Sequence, residues 1–269
     1  MQRITPKRKE IDPKDFLKRP ASESDFSTLI DQDTILLDSN GNPIALYFKF
    51  TEDTSELVNA LKKIPYLTSY RSGGLTTTSR IFGFDPPTGI RKQWPSATSL
   101  SWESPREHST VIEFGRKINE IYKQYLPDAQ ILHEKTVKEN VLPEWCIPGT
   151  PFTSGIINQN NQLNYHKDSG NFKGVYSNMI VMKSNVGGGY LSLPEYDLGL
   201  QCADNTLVMF DGQSILHGVT PIKKYSTSGY RYSIVYYSLS AFAKVGKMES
   251  EIQKIRGRRQ KIEKNNTQR

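Results

Sequence analysis

Hydrophobic positions follow two rhythms along this chain. Residues 54–64, TSELVNALKKI, and 110–126, TVIEFGRKINEIYKQYL, place apolar side chains every three or four positions, the spacing of one helix face. From residue 150 the rhythm changes to short runs: TSGIINQ, QLNYHKD, SNMIVMKS, GGYLSLPEY, LGLQCA, TLVMFD, SILHGV and YRYSIVYYSL. Gly, Asn, Asp or Pro separates most of them, so they read as strands of a sandwich or barrel. Earlier, ILLDSNGNPIALYFKF (35–50) flanks Ser39-Asn40-Gly41-Asn42, where Asn and Gly tolerate the positive φ of a hairpin turn. The pattern predicts a mainly β chain with flanking helices, an α+β fold with its barrel core at about 150–240.

Other segments escape both rhythms. Residues 66–110 are rich in Gly, Ser, Thr and Pro, with Tyr66, Tyr70, Phe82, Phe84, Trp94 and Trp102 interleaved with Arg71, Arg80, Arg91, Lys92 and Arg106. Such long irregular segments in compact domains are usually functional or disordered, and the aromatics argue against disorder. Residues 1–30 read as a basic, loosely ordered arm with one short helix near Asp15–Leu17. Residues 244–269 read as a basic tail, helical or frayed, and 31–243 between them as a single domain.

Composition narrows the class. Hydrophobic residues make up 36% of the 269, enough for a core and too many for a disordered chain. No apolar run approaches the roughly 20 residues of a membrane span, and the start lacks the apolar stretch of a secretory signal. Cys146 and Cys202 form neither a disulfide framework nor a zinc motif. They read as thiols of an intracellular, reducing compartment: the cytoplasm of a bacterium or phage-infected host, or the nucleus of a eukaryote. The net charge of +7 is concentrated at the two ends, and the body between them is slightly acidic. Basic ends favour polyanions through counterion release, and they also solubilise.

The candidate chemistry begins at LNYHKDSGN (163–171). Residues i and i+2 of a strand share a face, so His166 and Asp168 point together while Tyr165 and Lys167 face away. Alone, such a pair is an ordinary polar strand end. His217, in SILHGVTPI, follows Asp168 by 49 residues. Two histidines and a carboxylate on one face, with open positions opposite, make the facial triad of non-haem Fe(II) oxygenases. Arg231 sits in GYRYSIVYYSL, an apolar strand where an unpaired guanidinium is costly, and Ser233 shares its face. A guanidinium fork beside a hydroxyl suits the far carboxylate of 2-oxoglutarate. His108 and His133 lie outside this constellation and read as surface or packing residues.

The joint order, with each piece on a predicted strand, resembles the double-stranded β-helix core, jelly-roll or cupin-like, of Fe(II)/2-oxoglutarate dioxygenases. HKDSGNFKG, GGGYLSLPEY, TLVMFDGQSILHGVTPI and RYSIVYYSL resemble in particular the TET/JBP family, which oxidises the 5-methyl group of pyrimidine bases in DNA. TSRIFGF (78–84) followed by Arg91 is similar to that family's segment ahead of the barrel, and the resemblance covers roughly 70–240.

The resemblance implies that His166, Asp168 and His217 bind Fe(II). It implies that Arg231, helped by Ser233, takes the 5-carboxylate of 2-oxoglutarate. O2 and, as a stimulant, ascorbate complete the cofactor set. The implied partner is DNA whose target pyrimidine, thymine or 5-methylcytosine, is flipped out of the duplex. Stacking and pairing-edge contacts are then needed, and Arg80, Phe82, Asn158 and Asn164 are the candidates. Two other functions stay open: Fe(II)/2-oxoglutarate hydroxylation of a protein side chain or small molecule, and nucleic-acid binding by a barrel without catalysis.

Overall fold

The computed structural model describes residues 1–70, 74–89 and 92–267. The chain opens with β1 (Gln2–Ile4), α1 (Pro13–Phe16), β2 (Thr28–Ile30), β3 (Thr34–Leu37), β4 (Pro43–Lys49) and α2 (Ser55–Lys63). It continues through β5 (Leu67–Tyr70), β6 (Thr76–Asp85), β7 (Ser96–Ala97), α3 (Leu100–Glu103), α4 (Pro105–Tyr125) and α5 (Pro127–Asn140). Then come β8 (Ser154–Gln159), β9 (Leu163–His166), β10 (Ser177–Ser184), β11 (Val186–Gly188), β12 (Leu191–Leu193) and β13 (Leu198–Leu200). β14 (Thr206–Phe210), β15 (His217–Val219), β16 (Ile222–Lys224), β17 (Tyr230–Tyr237) and α6 (Met248–Thr267) complete it.

Two sheets face one another as a jelly roll. Among the described residues the larger has ten strands, ordered β1-β3-β4-β14-β10-β17-β8-β6-β5 with β7 on β6. The smaller has five, ordered β2-β13-β12-β15-β9, and β11 pairs β16 as a separate ribbon. The large sheet is apolar on both faces. Ile180, Met182, Leu207, Ile234 and Tyr236 pack under the helices with Leu57, Leu61, Phe114 and Ile118. Met179, Val181, Val208 and Phe210 point between the sheets, against Leu191, Leu198 and Val219. Each such buried side chain contributes roughly 1.5–3 kcal/mol.

The predicted hairpin forms as read: Asp38 Oδ1 accepts the N–H groups of Asn40 and Asn42, and Gly41 turns with φ +81°. The helix read at 110–126 begins earlier, at Pro105, whose missing N–H costs nothing at a first helical position. The segment read as irregular holds more order than its composition suggests. It contains the ten-residue strand β6, whose inward positions include Arg80 and Gly83 and so do not show an apolar rhythm. α5 is hidden for a similar reason: its buried residues are Gln130, His133 and Val137.

Residues 1–30, expected as a loosely ordered arm, instead add a strand to each sheet, β1 to the large one and β2 to the small one. β1 pairs β3, β2 pairs β13, and Ala21 and Ile30 are buried. Several basic residues that made the arm look loose meet acids, most of them distant in sequence: Arg8 with Glu195, Lys9 with Asp197, Arg19 with Asp25. The tail forms α6. No helix among the described residues is long and apolar enough to cross a membrane.

Candidate active site

The small sheet sets two histidines side by side. In the antiparallel pair β9–β15, His166 lies opposite His217, and Leu163 opposite Val219. Three positions on β9 therefore span two on β15, which is a bulge with one extra residue on β9. The rings sit 4.3 Å apart, centroid to centroid. His166 Nδ1 is 2.8 Å from the carbonyl of Asn164, and His217 Nδ1 is 2.9 Å from that of Ile215. A carbonyl only accepts, so each ring carries its proton on Nδ1 and leaves Nε2 with a bare lone pair.

Both Nε2 atoms face Asp168 Oδ1, at 3.6 and 3.7 Å. The three ligand atoms all lie within 4.8 Å of one another. Asp168 is held past the end of β9 by its N–H bond to Gly212 O, 2.8 Å long, and Ser177 Oγ donates to its Oδ2 at 3.3 Å. A Cβ on Gly212 would sit 2.2 Å from Asp168 Oδ2, so the carboxylate takes the space that glycine leaves. Burial pushes the Asp168 carboxyl up, yet it stays lowered to about 2, with the Ser177 hydroxyl donating to its charged form. Burial lowers His217 to about 4, against the pull of Asp168. With each ring's proton on Nδ1, two bare nitrogens and a carboxylate oxygen converge with no donor between them. A divalent cation answers that repulsion, and two nitrogens with one oxygen fit iron.

β17 supplies the opposite wall. Arg231 is 1% exposed, and its Nε and Nη2 have no hydrogen-bond partner. A Cβ on Gly189 would meet its Cδ and Nε at 2.8 Å. Among the described residues no carboxylate pairs with this guanidinium; Cys202 is the polar group beside it. Ser233 shares its face. Asn158 Nδ2 donates to Ser233 Oγ at 3.5 Å, and Asn161 Nδ2 donates to Asn158 Oδ1 at 3.1 Å. Arg231, Ser233, Asn158, Asn161 and the His-Asp-His cluster line one cavity of about 240 Å³ with apolar walls from Ile156, Met179, Leu191, Phe210, Val219 and Val235. A buried guanidinium with two free N–H groups fits a carboxylate ligand.

The structure thus brings together His166, Asp168, His217, Arg231, Ser233 and Asn158. It does not bring Arg80, Phe82 or Asn164 to them. Phe82 is fully buried in the helical core, edge-on to Tyr236. Arg80 donates to Ser99 Oγ at 2.6 Å and pairs with Glu103, on the same helical side. Asn164 stands two residues before His166, but the bulge in β9 turns it away from the histidine's face. Its Nδ2 instead donates to Lys18 O at 2.8 Å. Arg71 and Arg91 lie outside the described residues. His133 is packed inside, with Nε2 2.8 Å from Ser238 Oγ, and His108 Nε2 accepts the N–H of Gly83 at 3.3 Å. Sequence reasoning missed Asn161, Asn171, Ser177 and Gly212. Asn161 stands in NQNNQ, where the turn residue Asn160 disguised a cavity residue as loop. Asn171 Nδ2 donates to Ser177 Oγ at 3.2 Å and so backs Asp168.

A jelly roll with this His-x-Asp…His cluster and an inward arginine defines a 2-oxoglutarate- and Fe(II)-dependent oxygenase. Comparison with known proteins agrees. The Tet_JBP model, the oxygenase domain of the 2OGFeDO superfamily, matches residues 83–240, more than half the chain. The chain belongs to the Tet_JBP family. It is 25% identical over 234 residues to the bifunctional helicase and thymine dioxygenase JBP2 of Trypanosoma brucei brucei (strain 927/4 GUTat10.1), covering 80% of this chain and 20% of that protein. It is 27% identical over 194 residues to thymine dioxygenase JBP1 of Trypanosoma brucei brucei, covering 70% of this chain and 22% of that protein. The chain spans about a fifth of the length of these curated relatives. The solved structure of NgTET1 in complex with 5mC DNA shares the fold, with a TM-score of 0.60 and 15% identity over 84% of this chain and 86% of that one. Membership implies Fe(II) and 2-oxoglutarate.

Proposed function

We propose that this protein hydroxylates the 5-methyl group of a pyrimidine, thymine or 5-methylcytosine, in DNA, with Fe(II), 2-oxoglutarate and O2. One observation carries the reading: a single cavity, in a Tet_JBP chain, holds both the donor-free His166–Asp168–His217 cluster and the unpaired, buried Arg231. Relatives named as thymine dioxygenases and a structural neighbour solved with 5mC DNA support a pyrimidine in DNA as the substrate.

His166, Asp168 and His217 would hold the metal. Asn164 O and Ile215 O keep the imidazoles in the tautomer that presents Nε2. Arg231, whose Nε and Nη2 are unpaired, would hold the 5-carboxylate of 2-oxoglutarate, helped by Ser233. Asn158, braced by Asn161, is the amide assigned to polar contact within the cavity. Met179, Leu191 and Val219 exclude water from the reacting methyl group. The bound iron with its co-substrates supplies the oxidising chemistry that no side chain offers. A base reaches the cavity only after flipping out of the duplex.

The basic ends of a +7 chain support a polyanionic partner. We assign 31–243 to one dioxygenase domain and 244–269 to tracking of DNA phosphates. The free Cys146 and Cys202 support a reducing compartment.

Nucleoside mass spectrometry tests the reading. The protein is incubated with Fe(II), 2-oxoglutarate and ascorbate, the last keeping iron ferrous, on matched DNA with thymine only or with 5-methylcytosine as well. One base heavier by one oxygen, absent with His166→Ala, is the expected result. Succinate release with neither base modified overturns the DNA assignment and moves the substrate to a protein side chain or small molecule.

A further inference from the structure

A second, smaller core lies outside the cavity. Tyr165, Leu216 and Ala21 are buried together, with Ile11 and Phe16 packed against them. Tyr165 directly precedes His166, and Leu216 directly precedes His217. Successive strand residues face opposite ways, so the arm grips the outer faces of the two residues whose neighbours form the histidine pair.

Hydrogen bonds reinforce the grip. β9 is the edge of the small sheet, and the arm covers it. The Lys18 N–H donates to Tyr165 O, and the Tyr165 N–H donates to Arg19 O, both at 2.9 Å. Tyr165 OH donates to Asp25 Oδ2 at 2.8 Å and lies 2.7 Å from Ser192 Oγ on β12. Arg19 Nη2 pairs with Asp25 Oδ1 at 2.7 Å, and its guanidinium lies 4.5 Å from the Phe16 ring and 5.5 Å from the Tyr165 ring. At the other histidine, Glu195 receives Arg8 on Oε1 at 2.8 Å and the Leu216 N–H on Oε2 at 3.1 Å.

We propose that residues 8–25 form a strap that sets the spacing of His166 and His217, with Tyr165 and Asp25 as positioning residues for the metal pair. The proposal rests on the reading that these histidines hold the metal. β9 is a four-residue edge strand with a bulge, so few ladder bonds of its own fix its place in the sheet. Ligand geometry tolerates only about 0.5 Å of error. The strap supplies β9 with a second partner on its open edge and ties the same tyrosine across to β12.

The test uses the full chain without O2 or 2-oxoglutarate and with Co(II) alone as the probe, followed by its visible absorption. Tyr165→Phe keeps the ring and removes the hydroxyl tie. Asp25→Ala removes the anchor, and Asp25→Asn keeps an acceptor without the charge. Co(II) affinity of Tyr165→Phe and Asp25→Ala should fall about tenfold, with an altered absorption band, and that of Asp25→Asn by less. Melting of the metal-free protein is recorded beside it. Wild-type Co(II) affinity and band shape in Tyr165→Phe and Asp25→Asn, whatever their melting temperature, would make the arm a mere cover and overturn the proposal. His166→Ala separates the two readings: if it binds Co(II) like the wild type, the metal site itself is wrongly assigned.

Discussion

The two faces of β17 bury their residues to similar depth and end in opposite states. Towards the helices, Tyr232, Ile234 and Tyr236 join a packed core, and the two tyrosine hydroxyls are matched. Tyr236 OH donates to Val111 O at 2.7 Å, and Gln159 donates to Tyr232 OH at 3.3 Å. Towards the small sheet, Arg231 is equally buried and keeps two donors unpaired. The histidines differ in what surrounds them. His133 packs edge-on to Phe152 and Tyr122 in the helical layer, whereas His166 and His217 aim bare nitrogens at a carboxylate. Burial marks both faces of β17 alike; on this strand the buried donors left unpaired are those of Arg231, on the cavity face.

The sharpest way to break this comparison is at the cluster. His166→Ala should reduce hydroxylated nucleoside to background while circular dichroism stays that of a folded protein. Turnover that survived would place the chemistry elsewhere. Next in size is Phe82→Ala on the helical face, which should cost about 3–5 kcal/mol in urea unfolding. Turnover per folded molecule should hold, because Phe82 faces away from the cavity. A selective loss of turnover at intact stability would return it to the base-contact role.

Arg231→Met should raise the 2-oxoglutarate concentration needed for half-maximal rate on the order of a thousandfold, since two charge-assisted hydrogen bonds are lost. The ligand-free variant should unfold at higher urea than the wild type, because an unpaired buried charge is gone. A destabilised variant with normal 2-oxoglutarate saturation would make Arg231 a packing residue. The smallest effect concerns pH. Burial lowers His133 to about 3 in the folded protein, against about 6.5 when unfolded. The unfolded chain binds the extra proton between those values, so stability is full above about pH 6.5 and is lost as pH falls towards 3. About 2 kcal/mol should be gone by pH 5, and His133→Gln should flatten that part of the urea-midpoint profile.

Much of the site was legible from short-range signals. The His166–Asp168 spacing, His217 at a strand start and Arg231 with Ser233 in an apolar strand all obey strand periodicity or break its apolar rule locally. A sandwich or barrel followed from short runs parted by turn residues, and the jelly roll from the family resemblance. Other features left no local trace. β6 carries a buried Arg80 whose acid partner, Glu103, sits on a helix. α5 buries a glutamine and a histidine, and so lacks an apolar stripe.

Asn158 and Asn164 show where the boundary falls. Both are asparagines near strand ends, and both were equal candidates by sequence. One lines the cavity; the other faces out and binds Lys18, because one extra residue in β9 reverses its direction. Likewise the basic arm had the composition of a loose tail, and its meeting with Tyr165, Glu195 and Asp197 is made by residues far along the chain. By itself the sequence determined which chemistry this protein carries and on which strands, because residue type and strand period are local properties. Which of those side chains share a cavity, and what holds the histidine pair in register, was decided only by tertiary structure, because bulges, sheet pairing and layer packing are set between segments.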